Sequence, residues 1–133
     1  MTGQTADEIR TIVHWHEALN DGDPDLLVAL SQQDVEMGGP RGVVSGAEVL
    51  RDWVARANIR LYPQRFFYNR ETVVVEEAAE WRSPETGEVI GDSTVGSVFV
   101  VRDGRVASVE RHENLASALD AAGFDGSYEV ELA

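Results

Sequence analysis

An arginine and a glutamate stand two residues apart in the last stretch of β-type sequence. Side chains alternate between the faces of a strand, so Arg111 and Glu113 share one face with Ala107 and Val109. A guanidinium binds anionic or enol-like groups, and an adjacent carboxylate can relay a proton. Two interpretations are open: a catalytic pair on an apolar face, or a structural ion pair near its rim.

His16 lies in the apolar stripe of the first predicted helix, between Ile12 and Leu19. Histidine changes charge near neutral pH, so His16 is a candidate general acid or base. The alternative is a partly buried core histidine whose ring nitrogens are satisfied by its neighbours. His14 and His16 cannot chelate one metal ion from a helix, because residues two apart do not share a face. The sequence supports no metal site.

The predicted strand Thr72–Arg82 has an acidic side, on which Glu76 and Glu80 alternate with Ala78. Carboxylates that point into a pocket lose solvent and are suited to proton transfer, whereas carboxylates that point outward form a solvated face. The opposite side is more apolar and carries Val73, Val75, Ala79 and Trp81. This contrast favours the outward orientation of the two glutamates.

The composition of the 133-residue chain excludes several kinds of chemistry. There is no cysteine, and all 11 basic residues are arginine. Thiolate sites, lysine Schiff bases and Walker-type phosphate loops are therefore excluded. We expect no cofactor.

The net charge and the hydropathy pattern limit the partners. A formal charge of −13 repels nucleic acid and anionic lipid. No apolar run approaches the roughly 18 residues of a membrane span, and residues 1–8 are too polar for a signal peptide. We expect a cytoplasmic protein with no nucleic-acid partner and no membrane partner.

The predicted elements form one domain over residues 1–133, with a core at about 5–123 and an acidic, mobile tail at 124–133. Capping boxes at 5–8 and 45–48 open the first and third helices, and Asp23 caps the second. A short strand at 34–37 precedes a loop at 38–42. Four long strands follow, and a final helix ends at Gly123: Ile59–Asn69, Thr72–Arg82, 89–101, 106–113 and Leu115–Ala122. Helices segregated from an antiparallel sheet predict an α+β fold.

Several of these segments resemble the nuclear transport factor 2-like superfamily, which includes ketosteroid isomerase and the SnoaL-like polyketide cyclases. The matching segments are 15–23 (WHEALNDGD), 27–30 (LVAL), 34–37 (DVEM) and 98–106 (VFVVRDGRV). The resemblance implies a cone of three helices on a curved sheet, with a pocket at its open end. It also implies a homodimer packed through the sheets.

The catalytic groups of ketosteroid isomerase are replaced at the matching positions. Its general base falls at Gly39, its oxyanion-hole tyrosine at Trp15 and its protonated aspartate at or near Ser97. The arginine and two aspartates of the epoxide-hydrolase branch are missing too, because their positions fall near Val95, Ser97 and Arg111. Steroid isomerisation and epoxide hydrolysis by those mechanisms are therefore not expected.

The resemblance places the Arg111 face of the last strand inside the cone. We predict a pocket for a small apolar molecule, with cofactor-free acid–base chemistry by Arg111, Glu113 and His16. The alternatives are a non-catalytic binding protein and a dimerisation module. The predicted lining consists of Trp15, Leu19, Gly39, Arg41, Trp53, Ser97 and Val109. Arg41 either closes over a ligand or is a solvated loop residue, and the tryptophans either line the pocket or fill the core.

Overall fold

The computed structural model describes residues 6–39 and 42–131, with the side chains of residues 55–57 outside that description. The helices in this part of the chain are α1 (Asp7–Asn20), α2 (Pro24–Ala29), α3 (Ala47–Ala57) and α4 (Leu115–Ala122). The strands are β1 (Ser31–Gly39), β2 (Gly42–Ser45), β3 (Ile59–Asn69), β4 (Thr72–Arg82), β5 (Val89–Arg102), β6 (Arg105–His112) and β7 (Glu129–Val130). None of these helices is long and apolar enough to cross a membrane.

The described strands form one sheet in the order β2-β1-β6-β5-β4-β3-β7. Neighbouring strands are antiparallel except β1 and β6, which are parallel. Long hairpins build its centre, and each strand there has one face on the α1 side and one face on the α4 side. The predicted α+β fold with a mostly antiparallel sheet is confirmed.

The main core lies between α1 and the centre of the sheet. Ile12 and Trp15 of α1 pack with Val73 of β4 and Phe99 of β5, and each of these residues is at most 1% exposed. Full burial of one such side chain contributes about 1.5–3 kcal/mol before the ordering entropy is subtracted. This packing fixes α1 against the strands that carry the polar residues described below.

A second, smaller core covers part of the opposite face of the sheet. Phe67 and Val74 pack there against Ala118 of α4. The chain then turns back, Phe124 and Tyr128 stack with ring centroids 4.6 Å apart, and β7 pairs with β3. Residues of the expected mobile tail therefore form regular structure, with a 3₁₀ turn at Gly126–Tyr128 and strand β7. The homodimer through the sheet stays a prediction.

The helix ends follow the local sequence in part. The Asp23 side chain accepts a hydrogen bond from the Leu26 N–H, and Gly123 ends α4 with φ +73°, both as predicted. Thr5 of the first proposed capping box lies outside the described residues. The second box is wrong, because Ser45 belongs to β2 and Gly46 is the N-cap of α3 without a side-chain bond.

The predicted loop at 38–42 is also wrong in its described part. Gly38 and Gly39 extend β1, and Gly42 begins β2 opposite Gly39. Glycine suits the start of β2, since Gly42 has φ +118°, a value that a side chain disfavours. Pro40 and Arg41 lie outside the described residues.

Candidate functional site

A cavity of about 540 Å³ opens between α3, the β1–β2 hairpin and the inner face of the sheet. That volume falls in the range of small-molecule sites. Apolar groups form most of its wall: Trp15, Met37, Val43, Val44, Val49, Leu50, Trp53, Leu61 and Val109. Gly38, Gly39 and Gly42 give backbone to the wall, and Ser97 and Arg111 give polar side chains. Arg111 is the one charged residue among the described residues of the lining.

Ser97 and Arg111 are direct neighbours across β5 and β6. Their Cα atoms are register partners in the antiparallel ladder, so their Cβ atoms lie about 5 Å apart on one face. Ser97 is 1% exposed, whereas Arg111 is half-buried. Arg111 has no hydrogen-bond or ion-pair partner among the described residues. Its guanidinium donors are therefore free to bind a ligand.

A buried polar chain runs from the cavity wall into the core. The Ser97 hydroxyl donates to Glu77 Oε1 over 2.6 Å, and Glu77 Oε2 lies 2.5 Å from His16 Nε2. His16 Nδ1 lies 2.8 Å from the carbonyl oxygen of Ile12. Glu77 and His16 are 0% and 1% exposed. Burial of two ionisable groups is costly unless they are paired and hydrogen-bonded, and both are.

The distances within this polar chain of side chains show where its protons lie. A carbonyl oxygen only accepts, so His16 Nδ1 carries a hydrogen and donates it to Ile12. The short contact between His16 Nε2 and Glu77 Oε2 then needs one further proton between them. That proton gives either an imidazolium–carboxylate pair or an imidazole–carboxylic acid pair.

Glu77 was not among the predicted site residues, although strand alternation places this glutamate on the apolar side of β4. Glu77 shares the face of Val75 and Ala79, which was recognised as the apolar side of β4. A carboxylate in that row is a buried charge that needs a partner, and β4 crosses under α1 where His16 provides one. On the other face, Glu80 is half-buried and pairs with Arg82 over 2.9 Å.

The structure brings most of the predicted lining together. The predicted catalytic residue Arg111 lines the cavity, and so do five of the seven predicted lining residues: Trp15, Gly39, Trp53, Ser97 and Val109. Leu19 packs in the core instead, 2% exposed and one helical turn beyond Trp15. Arg41 lies outside the described residues. His16 does not line the cavity and reaches its wall only through Glu77 and Ser97.

Glu113 does not form the predicted pair with Arg111. It is exposed and absent from the cavity wall, and the described residues form no ion pair between the two. The reason is that β6 ends at His112, so strand alternation no longer fixes the direction of the Glu113 side chain. Among the described residues, no three His, Asp or Glu side chains group as metal ligands.

Trp15 offers a ring rather than a hydrogen-bond donor to the cavity. Its Nε1–H donates to Ser31 Oγ over 3.3 Å, and Ser31 Oγ donates to the Leu27 carbonyl. The indole packs edge-on against Phe99 with centroids 5.3 Å apart. Trp15 therefore supplies apolar contact to the cavity.

Comparison with known proteins gives a family and a set of structural neighbours. The family model described as SnoaL-like domain matches residues 12–109. No curated protein matches the sequence. An NTF2-like protein of unknown function from Cytophaga hutchinsonii has a TM-score of 0.69 at 14% identity, covering 88% of this chain and 97% of its own.

Two further neighbours were solved with small molecules. TerC, co-crystallised with polyporic acid, has a TM-score of 0.71 at 20% identity, covering 84% of this chain and 95% of its own. A protein from Catenulispora acidiphila with a ketosteroid isomerase-like fold, in complex with trimethylamine, has a TM-score of 0.67 at 17% identity, covering 89% and 95%. At these identities the likeness shows a shared fold.

Proposed function

The chain belongs to the SnoaL-like domain family, and from this premise we propose that it binds a small, mainly apolar organic molecule and performs cofactor-free acid–base chemistry on it. The observation that carries the proposal is the wall formed by Ser97 and Arg111. One of these neighbours is a free guanidinium, and the other is hydrogen-bonded to a buried carboxylate–histidine pair.

Arg111 is the anchor. Half-buried in an apolar wall, a guanidinium without a carboxylate partner attracts an anionic or electron-rich oxygen more strongly than a solvated one does. The rest of the chain is rich in carboxylates, with a formal charge of −13. An unpaired arginine in such a chain is well suited to hold an acidic ligand.

The chain from Ser97 to His16 is the proton-transfer group. A proton that leaves the ligand binds Ser97 Oγ while the serine hydrogen moves to Glu77 Oε1. The electron pair of the broken bond stays on the ligand, where Arg111 stabilises the negative charge. The reverse transfer returns a proton to the same ligand atom or to another one. This chemistry suits isomerisation, cyclisation, dehydration or hydrolysis, with Ser97, Glu77 and His16 as the working groups.

The structural neighbours support the binding half of the proposal. TerC was co-crystallised with polyporic acid, and the Catenulispora protein was solved with trimethylamine. Proteins of this fold therefore accommodate small organic molecules.

A second candidate function is binding without catalysis. The observation that favours it is the 1% exposure of Ser97, which leaves this lining residue little surface for a ligand to contact. In that case the buried Glu77–His16 pair only stabilises the packing of α1 on β4.

Titration calorimetry with 2-naphthoate tests the anchor, because this probe combines an apolar ring system with one carboxylate. We expect micromolar to millimolar affinity, and about tenfold weaker binding by Arg111→Gln. Arg105→Gln is the matched control, since Arg105 is an exposed arginine on the same strand. Equal affinities of the wild type and Arg111→Gln would remove Arg111 as the anchor.

A further inference from the structure

We propose that the cavity selects organic acids that also carry a hydroxyl group, placed so that the hydroxyl donates to Ser97 while the carboxylate binds Arg111. This inference rests on the proposed function and names the class of its ligand. It follows from the hydrogen bonds that Ser97 and Arg111 can still form after their contacts within the protein are counted.

When a ligand first binds, Ser97 is able only to accept a hydrogen bond from it. A serine hydroxyl has one hydrogen, and Ser97 donates it to Glu77 Oε1 over 2.6 Å. Before any proton is transferred, Glu77 only accepts at that oxygen, because the proton it shares with His16 lies at Oε2, the other carboxyl oxygen. A ligand group that hydrogen-bonds to Ser97 Oγ must therefore be a donor, such as a phenol or an enol.

Arg111 is able only to donate. Its guanidinium carries N–H groups and no acceptor, and the described residues leave those groups without a partner. A carboxylate takes two parallel hydrogen bonds from such a group, which a neutral hydroxyl cannot do.

The acceptor of Ser97 and the donors of Arg111 lie side by side on the same wall. Ser97 and Arg111 are register partners on adjacent strands, so the complementary ligand groups are separated by a few bonds and not by the length of the molecule. The remaining wall is apolar, with Trp15, Trp53 and Val109 available to contact rings. The complementary ligand is an aromatic or polycyclic acid with a nearby hydroxyl.

The test compares 2-naphthoate, 4-hydroxy-2-naphthoate and 6-hydroxy-2-naphthoate by titration calorimetry. The two hydroxy acids are isomers. The hydroxyl lies on the same ring as the carboxylate in the 4-hydroxy acid and on the far ring in the 6-hydroxy acid. Neither isomer forms an internal hydrogen bond. We expect the 4-hydroxy acid to bind about fivefold tighter than the 6-hydroxy acid, the factor of one net hydrogen bond. Ser97→Ala should abolish that ratio and leave 2-naphthoate within about twofold of the wild type.

Ser93→Ala is the matched control for this variant, because Ser93 is an exposed serine on the same strand, and it should keep the ratio. Equal binding of the two hydroxy acids, or a ratio that survives in Ser97→Ala, would overturn the inference while 2-naphthoate still binds through Arg111. Absence of binding by 2-naphthoate itself would instead contradict the proposed function, and the ligand class with it.

Discussion

Glu77 of β4 and His16 of α1 are 61 positions apart in the sequence, and their side chains meet in the core with 2.5 Å between Oε2 and Nε2. The contact joins the first helix to the middle of the sheet at a point where both groups are almost fully buried. It is also the inner end of the polar chain that begins at Ser97 on the cavity wall.

His16 should carry a hydrogen on Nδ1, because Nδ1 lies 2.8 Å from the carbonyl oxygen of Ile12, which can only accept. Long-range ¹H–¹⁵N correlation spectra distinguish the two ring nitrogens directly. His14 is the internal reference, since it is exposed on the same helix. An unprotonated Nδ1 at His16 would contradict the positions given to the protons between Ser97 and His16.

Replacement of Glu77 should separate hydrogen bonding from charge. Glu77→Gln keeps an acceptor for Ser97 and donates its amide to a neutral His16, so the free energy of unfolding should fall by less than about 1.5 kcal/mol. Glu77→Ala leaves both partners unpaired and opens a void, which should cost about 3–5 kcal/mol. Urea unfolding measures both values.

The neighbouring Glu76 provides the control for that pair of variants. It lies on the opposite face of β4 and is only half-buried, so Glu76→Ala should change the unfolding free energy by at most about 1 kcal/mol. A loss in Glu77→Gln as large as that in Glu77→Ala would show that the amide does not replace the carboxyl group, against the hydrogen-bond scheme.

Gly96 of β5 should be intolerant of any side chain because α4 lies directly on it. A Cβ atom there would come within 2.7 Å of the Asn114 carbonyl oxygen and 2.8 Å of Ala118 Cβ. Gly96→Ala should therefore destabilise the fold by about 1–3 kcal/mol through overpacking. Thermal or urea unfolding measures the change.

Gly91 on the same strand is the matched control, since a Cβ atom there would meet its nearest neighbour, Trp81, at 3.9 Å. Gly91→Ala should be close to neutral. If both alanine variants were equally stable, the close packing of α4 on the sheet would be wrong.

Edge strand β7 should detach from β3 in acid. Arg65 holds Glu129 by two hydrogen bonds of 2.9 and 2.8 Å, and these bonds lower the pKa of Glu129. A lowered pKa means that the pair stabilises the edge fully above the ordinary glutamate pKa of about 4.3, and that this support is lost as the pH falls through the lowered value. The protection factor of the Val130 amide, which is the exchange rate corrected for the intrinsic effect of pH, should then fall on acidification. The Glu129→Gln variant should show no such pH dependence, and an unchanged acid response in that variant would rule out the pair as its cause.

Local sequence patterns predicted the long elements well and the short ones poorly. The bounds of β3 and β4 match the predicted runs 59–69 and 72–82, because both runs are rich in β-branched and aromatic residues over their whole length. Strands β2 and β7 have four and two residues, too few for a pattern to emerge. They form because the long strands present unpaired edges.

The residues of the candidate site were also predicted only in part. Ser97 and Arg111 were found from matched family positions and strand alternation, and both line the cavity. Glu77 was missed because its partner, His16, comes from a distant part of the chain, and no local pattern reveals a pairing between elements. Glu113 was predicted wrongly because the strand was taken one residue too far.

The crystal structure of the protein with 2-naphthoate tests the central claim most directly. The account predicts naphthyl rings against Trp15 and Trp53, with the carboxylate oxygens about 2.7–2.9 Å from the Arg111 guanidinium nitrogens. A carboxylate that points away from Arg111 towards solvent, or a probe bound only outside the cavity, would contradict it.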